Sequence, residues 1–91
     1  MLFRIWKAAS NLRKHRVDFH EAATVFDDAL SMTFPDLEHS EVEERSVTLG
    51  ASAKGRILVV IHADGKESVR IISARKASSP ERRYYEEGEG E

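Results

Sequence analysis

A 91-residue chain with 41% hydrophobic and 33% charged side chains has a globular balance; at that length one small core must carry the fold, so residues 1–91 are expected to form a single domain without separate catalytic and regulatory halves. It has no cysteine, which excludes disulfide frameworks, thiolate zinc sites and a cysteine nucleophile together and suits a reducing cytoplasm. The formal net charge of -2 hides blocks of +4 over residues 1–20, -8 over 21–44, +6 over 45–85 and -4 over 86–91, so a basic C-terminal half stands beside a separate acidic segment, a distribution compatible with a polyanion-binding face.

The opening MLFRIWKAAS carries Arg4 and Lys7 within its apolar stretch and lacks the unbroken run of about 7 to 15 apolar residues that export requires. The longest apolar run, Ile57 to Ile61, is far short of the roughly 20 residues of a membrane span, so a soluble cytoplasmic protein is expected. Ile5, Ala8, Ala9 and Leu12 share one face of a helix running to about His15. Asp18 followed by Glu21 reads as a capping box for a second helix from Phe19 to Asp28, with Phe19, Ala22, Ala23 and Phe26 on one face. Between them lies Arg16-Val17, where a helix end favours a left-handed glycine; Arg16 in that conformation costs on the order of 1 kcal/mol.

From Leu30 the period changes to two: Leu30, Met32 and Phe34 alternate with Ser31 and Thr33 in a half-buried strand ended by Pro35-Asp36. The acidic stretch Asp36 to Glu44 reads as a loop. Arg45 to Ala51 forms a second strand, and a turn around Lys54-Gly55 leads into Arg56 to His62, which is apolar on both sides and therefore central in the sheet. The Asp64-Gly65 pair signals a tight hairpin into a fourth strand, Ser68 to Ala74, completing an antiparallel meander. Ser79-Pro80-Glu81 supplies an N-cap, a proline at the first helical position and an acid in the first turn for a third helix that ends near Gly88, with a frayed acidic tail beyond. Its only large apolar residues are Tyr84 and Tyr85, so this short helix must dock on the sheet or on a partner. The expected fold is α+β: two N-terminal helices, a four-stranded antiparallel sheet and a short C-terminal helix.

Several chemistries have no candidate. There is no GxxxxGK[ST] or GxGxxG for a nucleotide, and His15, His20, His39 and His62 lack HxH or HxxxH spacing for a metal. His62 shares a strand face with Leu58 and Val60, as a core-edge histidine does. The dense region is Arg70 to Lys76 followed by Glu81-Arg82-Arg83-Tyr84-Tyr85-Glu86, which offers guanidinium groups for phosphates and aromatic rings for bases; the same residues also suit a cationic strand end and a helix packed by its tyrosines.

The order of residues narrows this. Asn11-Leu12-Arg13-Lys14-His15, Phe19-His20-Glu21-Ala22-Ala23-Thr24-Val25-Phe26-Asp27-Asp28, His39-Ser40-Glu41 with Glu44-Arg45, Arg70-Ile71-Ile72-Ser73-Ala74-Arg75-Lys76-Ala77 and Glu81-Arg82-Arg83-Tyr84-Tyr85-Glu86 together resemble the BrnT family of type II toxin-antitoxin toxins over about residues 7–88. The family usually has glycine where Arg16 stands and a Phe-Glu-Trp-Asp type segment where this chain reads Phe3-Arg4-Ile5-Trp6-Lys7. The resemblance implies a RelE-like fold and RNA cleavage that inhibits translation. It also implies neutralisation by a BrnA-type antitoxin, and operator DNA binding only through the antitoxin complex, for which a dimer of heterodimers is compatible. Neither metal nor cofactor is implied, and no membrane partner. By the same resemblance Arg70 and Arg75 are catalytic candidates that stabilise phosphate charge, Glu81 is a base or positioner, and Tyr85 an acid or stacking platform. Lys76, Arg82, Arg83 and Tyr84 are RNA-binding candidates. Two alternatives remain: a non-catalytic protein-interaction module and an RNA-binding module without chemistry.

One geometrical condition attaches to the arginines. Arg70 and Arg75 are an odd number of positions apart, so an unbroken strand points them to opposite faces, and they share a site only if the strand ends, twists or bulges between them. Otherwise Arg70 is structural and the site lies around Arg75, Lys76 and the third helix.

Overall fold

The computed structural model describes residues 8–37 and 44–88. The expectations for Ile5, for the middle of the acidic loop with its His39-Ser40-Glu41 motif, and for the tail after Gly88 lie outside the described residues. Helices α1 (Ala8–His15) and α2 (Phe19–Thr24) are followed by a 3-10 turn at Val25–Asp27. Strands β1 (Met32–Pro35), β2 (Arg45–Ala51), β3 (Ile57–Asp64) and β4 (Val69–Lys76) come next, and α3 (Ser79–Glu87) closes the order. The four strands form an antiparallel meander in the order β1-β2-β3-β4. The α+β expectation therefore holds, with β3 central as its two-sided apolar sequence requires. Among the described residues no helix is long and apolar enough to cross a membrane.

Cross-strand partners share a face of a sheet, so the register sorts the side chains. One face carries Thr48, Gly50, Leu58, Val60, His62, Ile71 and Ala74. It packs on the N-terminal helices through Val17, Phe19, Ala22 and Val25, all buried. Gly50 belongs there by necessity: a Cβ would stand 2.9 Å from both Ser31 Cβ and Val25 Cγ1, so the sheet and the 3-10 turn approach closely only because the side chain is absent. The other face carries Met32, Val47, Leu49, Ile57 and Val59 and is covered at one end by α3.

Local differences from the sequence reading have physical causes. In α1, Leu12 is 45% exposed, and among the side chains of the helix that the structure describes the buried one is Asn11. Its amide donates to the carbonyls of Val17 (2.8 Å) and Ala74 (2.9 Å), and its Oδ1 accepts the Ala74 N–H at 3.1 Å, imitating a neighbouring strand along the β4 edge. Arg16 takes the left-handed conformation at φ 61. Asp18 caps α2 by accepting the Glu21 N–H at 2.7 Å, but the Glu21 side chain turns into the core instead of closing the box. The α-helix stops at Thr24, whose hydroxyl donates to the Glu21 carbonyl at 2.6 Å, and continues as the 3-10 turn. Leu30 is exposed ahead of β1 rather than within it. The β3–β4 connection is longer than a two-residue hairpin, with Gly65 N–H bonded to the Ser68 carbonyl at 2.8 Å and β4 resuming at Val69 opposite Asp64. The cap of α3 is Ser78, one residue earlier than the proline suggests: Ser78 and Glu81 form a complete capping box, with Pro80 inside the first turn.

Candidate functional site

β4 does not end before Arg75; it runs to Lys76. The parity problem is solved by a register shift: Ser73 pairs with Ile61 and Ile71 with the next residue, His62, so Ile72 is the extra residue of a β-bulge. On its two sides Arg70 pairs with Ala63 and Arg75 with Val59. Ala63 and Val59 share a face of β3, so both arginines stand on the face that α3 partly covers. Arg45 pairs with Ala63 from the opposite strand and joins them there. Arg45 is the residue the sequence reading missed, although it has the same parity as Val47 and Leu49, whose side chains define that face. Lys76 pairs with Leu58 and so belongs to the opposite face, at the exposed end of the strand.

Arg75 and Glu81 form a two-bond fork: Arg75 Nη1 donates to Glu81 Oε1 at 2.8 Å and Nη2 to Oε2 at 2.9 Å. The capping box sets this geometry, because Glu81 Oε1 also accepts the Ser78 N–H at 2.8 Å, which fixes the carboxylate at the start of α3 just above the strand end. The Arg75 guanidinium, opposed by burial and helped by the Ser78 bonds, holds the Glu81 carboxyl at about 2; the carboxylate in turn pushes the arginine upward.

Tyr85 docks α3 on the sheet. Its ring packs against Leu49, Val59 and Ala77, and its hydroxyl donates to Asp28 Oδ2 at 2.5 Å. The bond to Asp28 and burial together push its pKa up to about 12. Asp28 also accepts the N–H groups of Ala51 (2.8 Å) and Leu30 (3.0 Å); burial pushes its carboxyl up, but these bonds and the tyrosine outweigh it and the net shift is downward. Tyr84, one residue away, is 48% exposed and faces Phe34 of β1 with ring centroids 6.1 Å apart. Phe34, Val47, Leu49, Val59, Pro80, Glu81 and Tyr84 line an apolar groove of about 280 Å³. Arg82 and Arg83 are exposed on α3 outside the groove lining.

The structure thus brings Arg70, Arg75, Glu81, Tyr84 and Tyr85 to one face and leaves Lys76 on the other. Phe34, read from sequence as a half-buried strand residue, becomes an aromatic wall. Chemically the arrangement offers fixed positive charge beside an aromatic surface, which suits an anionic, partly apolar chain such as single-stranded RNA. Neither titratable neighbour has a pKa near neutrality.

A second array, on the helix-packed face, has the connectivity of a nucleophile–base–acid set. Thr48 Oγ1 lies 2.7 Å from His62 Nε2, His62 Nδ1 lies 2.6 Å from Asp64 Oδ1, and Thr33 Oγ1 lies 2.8 Å from Thr48 Oγ1. The Thr48 hydroxyl is fully buried and the Phe26 ring packs edge-on against His62 at 4.9 Å, so no substrate reaches it; it is a polar tie across three strands, as expected for a core-edge histidine. Among the described residues no three His, Cys, Asp or Glu side chains are grouped to hold a metal.

Residues 3–81 match the family model described as ribonuclease toxin, BrnT, of type II toxin-antitoxin system. A comparison with individual curated proteins returns no match.

Proposed function

The chain belongs to the BrnT family of ribonuclease toxins of type II toxin-antitoxin systems, and from that premise we propose that it is a metal-independent endoribonuclease that cuts RNA on the open face of its sheet, acts in the cytoplasm and is neutralised by a BrnA-type antitoxin. Ribonuclease action and an antitoxin partner come with the family. The observation that carries the choice of site is the bulge at Ile72, which puts Arg70 and Arg75 on one face, with Arg75 bonded to Glu81 of the aromatic groove.

In this reading the substrate supplies its own nucleophile. The 2'-hydroxyl attacks the adjacent phosphorus, a P–O2' bond forms and the P–O5' bond breaks. One product ends in a 2',3'-cyclic phosphate and the other in a 5'-hydroxyl; one proton leaves O2' and one arrives at O5'. Arg75 stabilises the charge growing on the non-bridging oxygens through its planar fork. Arg70, whose strand partner Ala63 lies four residues from Val59, the partner of Arg75, stands about 13 Å away at roughly 3.3 Å per residue and holds a phosphate further along the same RNA strand. Tyr84 and Phe34 offer rings to an unpaired base, and Arg82 and Arg83 add general attraction to the backbone.

Glu81 and Tyr85 serve as positioning residues. A carboxyl held at about 2 is a feeble base at neutral pH, and a phenol pushed up to about 12 and bonded to Asp28 is a reluctant acid. Proton exchange with solvent then completes the reaction, and the protein contributes orientation and charge. Lys76, on the opposite face at the strand end, lies outside this site. Operator DNA is contacted through the antitoxin, in a complex for which a dimer of heterodimers is compatible.

The test is cleavage of a defined single-stranded RNA by the purified chain in excess EDTA, with and without ribosomes, followed by mapping of the new ends. Cyclic phosphate and 5'-hydroxyl ends are expected. Intact RNA under both conditions, as a pure interaction or RNA-binding module gives, overturns the assignment.

A further inference from the structure

We infer that Glu81 is an internal stand-in for the substrate phosphate: it occupies the Arg75 fork in the substrate-free chain and must be displaced when RNA binds, so that α3 masks the site as well as building it. This rests on the ribonuclease reading above and adds to it how the site is regulated.

The geometry carries the inference. Both terminal nitrogens of Arg75 point at the two oxygens of one carboxylate, at 2.8 and 2.9 Å. That end-on fork is the same arrangement a guanidinium uses for two oxygens of a phosphate, so one anion excludes the other. The pair is not sealed in the core: the side chains are 41% and 35% exposed, and both can exchange partners without a buried charge being stranded. Glu81 also has somewhere to remain, because the capping bond to the Ser78 N–H belongs to the helix and not to Arg75.

The attachment of α3 is equally suited to local release. Each of its residues keeps some exposure, and the firm ties lie just ahead of it, at Ala77 N–H to the Ile57 carbonyl (2.9 Å), and towards its far end, at the Tyr85 hydroxyl to Asp28. A shift of the Glu81 side chain therefore uncovers the arginine without unfolding the helix.

The experiment measures binding apart from cleavage, using a single-stranded RNA of defined sequence with 2'-O-methyl substitution throughout. Glu81→Gln removes the charge but keeps an oxygen able to cap α3. It is expected to bind this oligonucleotide about 2- to 5-fold more tightly, the range that follows from releasing one exposed ion pair. The slope of log affinity against log salt should change by much less than the roughly 0.7 of a whole phosphate on a single strand, since Arg75 neutralises the same phosphate in both proteins. In an Arg75→Ala background the same change should leave both quantities unmoved.

Equal or weaker binding by Glu81→Gln overturns the inference, and so does an increase that persists without Arg75, since that reports net charge alone. Failure of the parent reading looks different: the unaltered chain then neither cuts RNA nor loses oligonucleotide affinity when Arg75 is replaced. Circular dichroism and the melting temperature of Glu81→Gln confirm that the helix is retained.

Discussion

On the helix-packed face of the sheet, charged and hydroxyl side chains are bonded in the interior; on the open face they are bonded near water. Glu21 shows the first condition. Its side chain is 2% exposed and is met by Arg56, through Nη2 and through Nε at 2.9 Å, and by the Ser52 hydroxyl at 2.6 Å; Arg56 Nη2 also donates to the Arg16 carbonyl at 3.1 Å. This array ties α2, the left-handed link and the β2–β3 turn together. The Arg75–Glu81 pair has comparable bonds but lies partly in solvent. The difference teaches where exchange with a ligand is possible: a pair whose carboxylate is enclosed cannot open without stranding that charge, whereas one exposed on both sides can trade its carboxylate for a phosphate.

The comparison predicts opposite phenotypes. Arg75→Ala should lower the rate of RNA cleavage about 100- to 1000-fold, the cost of losing one donor to developing oxyanion charge, while the melting temperature moves little. A folded, fully active Arg75→Ala protein removes Arg75 from the reaction. Arg56→Met should do the reverse. With Glu21 left buried beside Ser52 and the distant Lys54, stability should fall by about 2 to 4 kcal/mol, less than for a wholly dry pair because Arg56 itself is partly exposed. Denaturant titration measures that loss, and cleavage per folded molecule should be unchanged.

These two faces were unequally legible in the sequence. The helix-packed face follows from local patterns: the spacing of Phe19, Ala22 and Ala23, the Asp18 cap, and the alternation of β2 all survive folding because each is decided within a few residues. Asn11 was legible as a helix position but not as a tie to Ala74, since its partner lies far along the chain. On the open face the decisive feature is the bulge at Ile72, which no glycine or proline announces and which reverses the parity of everything after it. Sequence parity could state the condition for Arg70 and Arg75 to meet, and only the register could meet it. The Ser78–Glu81 spacing was a readable capping box, overshadowed by the stronger signal of Pro80.

Tyr85→Phe probes the boundary between the faces, because the tyrosine sits on the open side yet bonds Asp28 beneath the sheet end. Loss of that hydroxyl should cost about 1 kcal/mol, Asp28 keeping the Ala51 and Leu30 N–H groups. The tyrosine's folded pKa is raised above the ordinary 10.0 to about 12, so its contribution is present below pH 10 and lost as pH rises from 10 to 12. Alkaline melting curves of Tyr85→Phe should lack that portion of the decline. Cleavage near neutrality should persist at a reduced rate, since the ring still holds α3; abolition of cleavage in a stable Tyr85→Phe protein would make the hydroxyl a participant in the chemistry.

The smallest expected effect separates the two carboxylates by acid. Both Glu81 and Glu21 have folded pKa values below the ordinary 4.5, Glu81 at about 2 through Arg75 and Glu21 lowered chiefly by its bonds from Arg56. For such groups the unfolded chain takes up protons first, so the stabilisation is complete above about pH 4.5 and, for Glu81, disappears as the pH falls towards about 2. Glu21→Gln should flatten the acid decline, even though it lowers stability at neutral pH, because its lowered carboxyl is almost wholly enclosed. Glu81→Gln should flatten it between about pH 4.5 and about 2, by less than the shift alone implies, since water already screens the pair. Melting temperatures taken from pH 6 down to 2 on the two variants decide the matter: equal flattening would mean that the α3 fork is held as firmly as the interior one, and a phosphate could then no longer displace Glu81 cheaply.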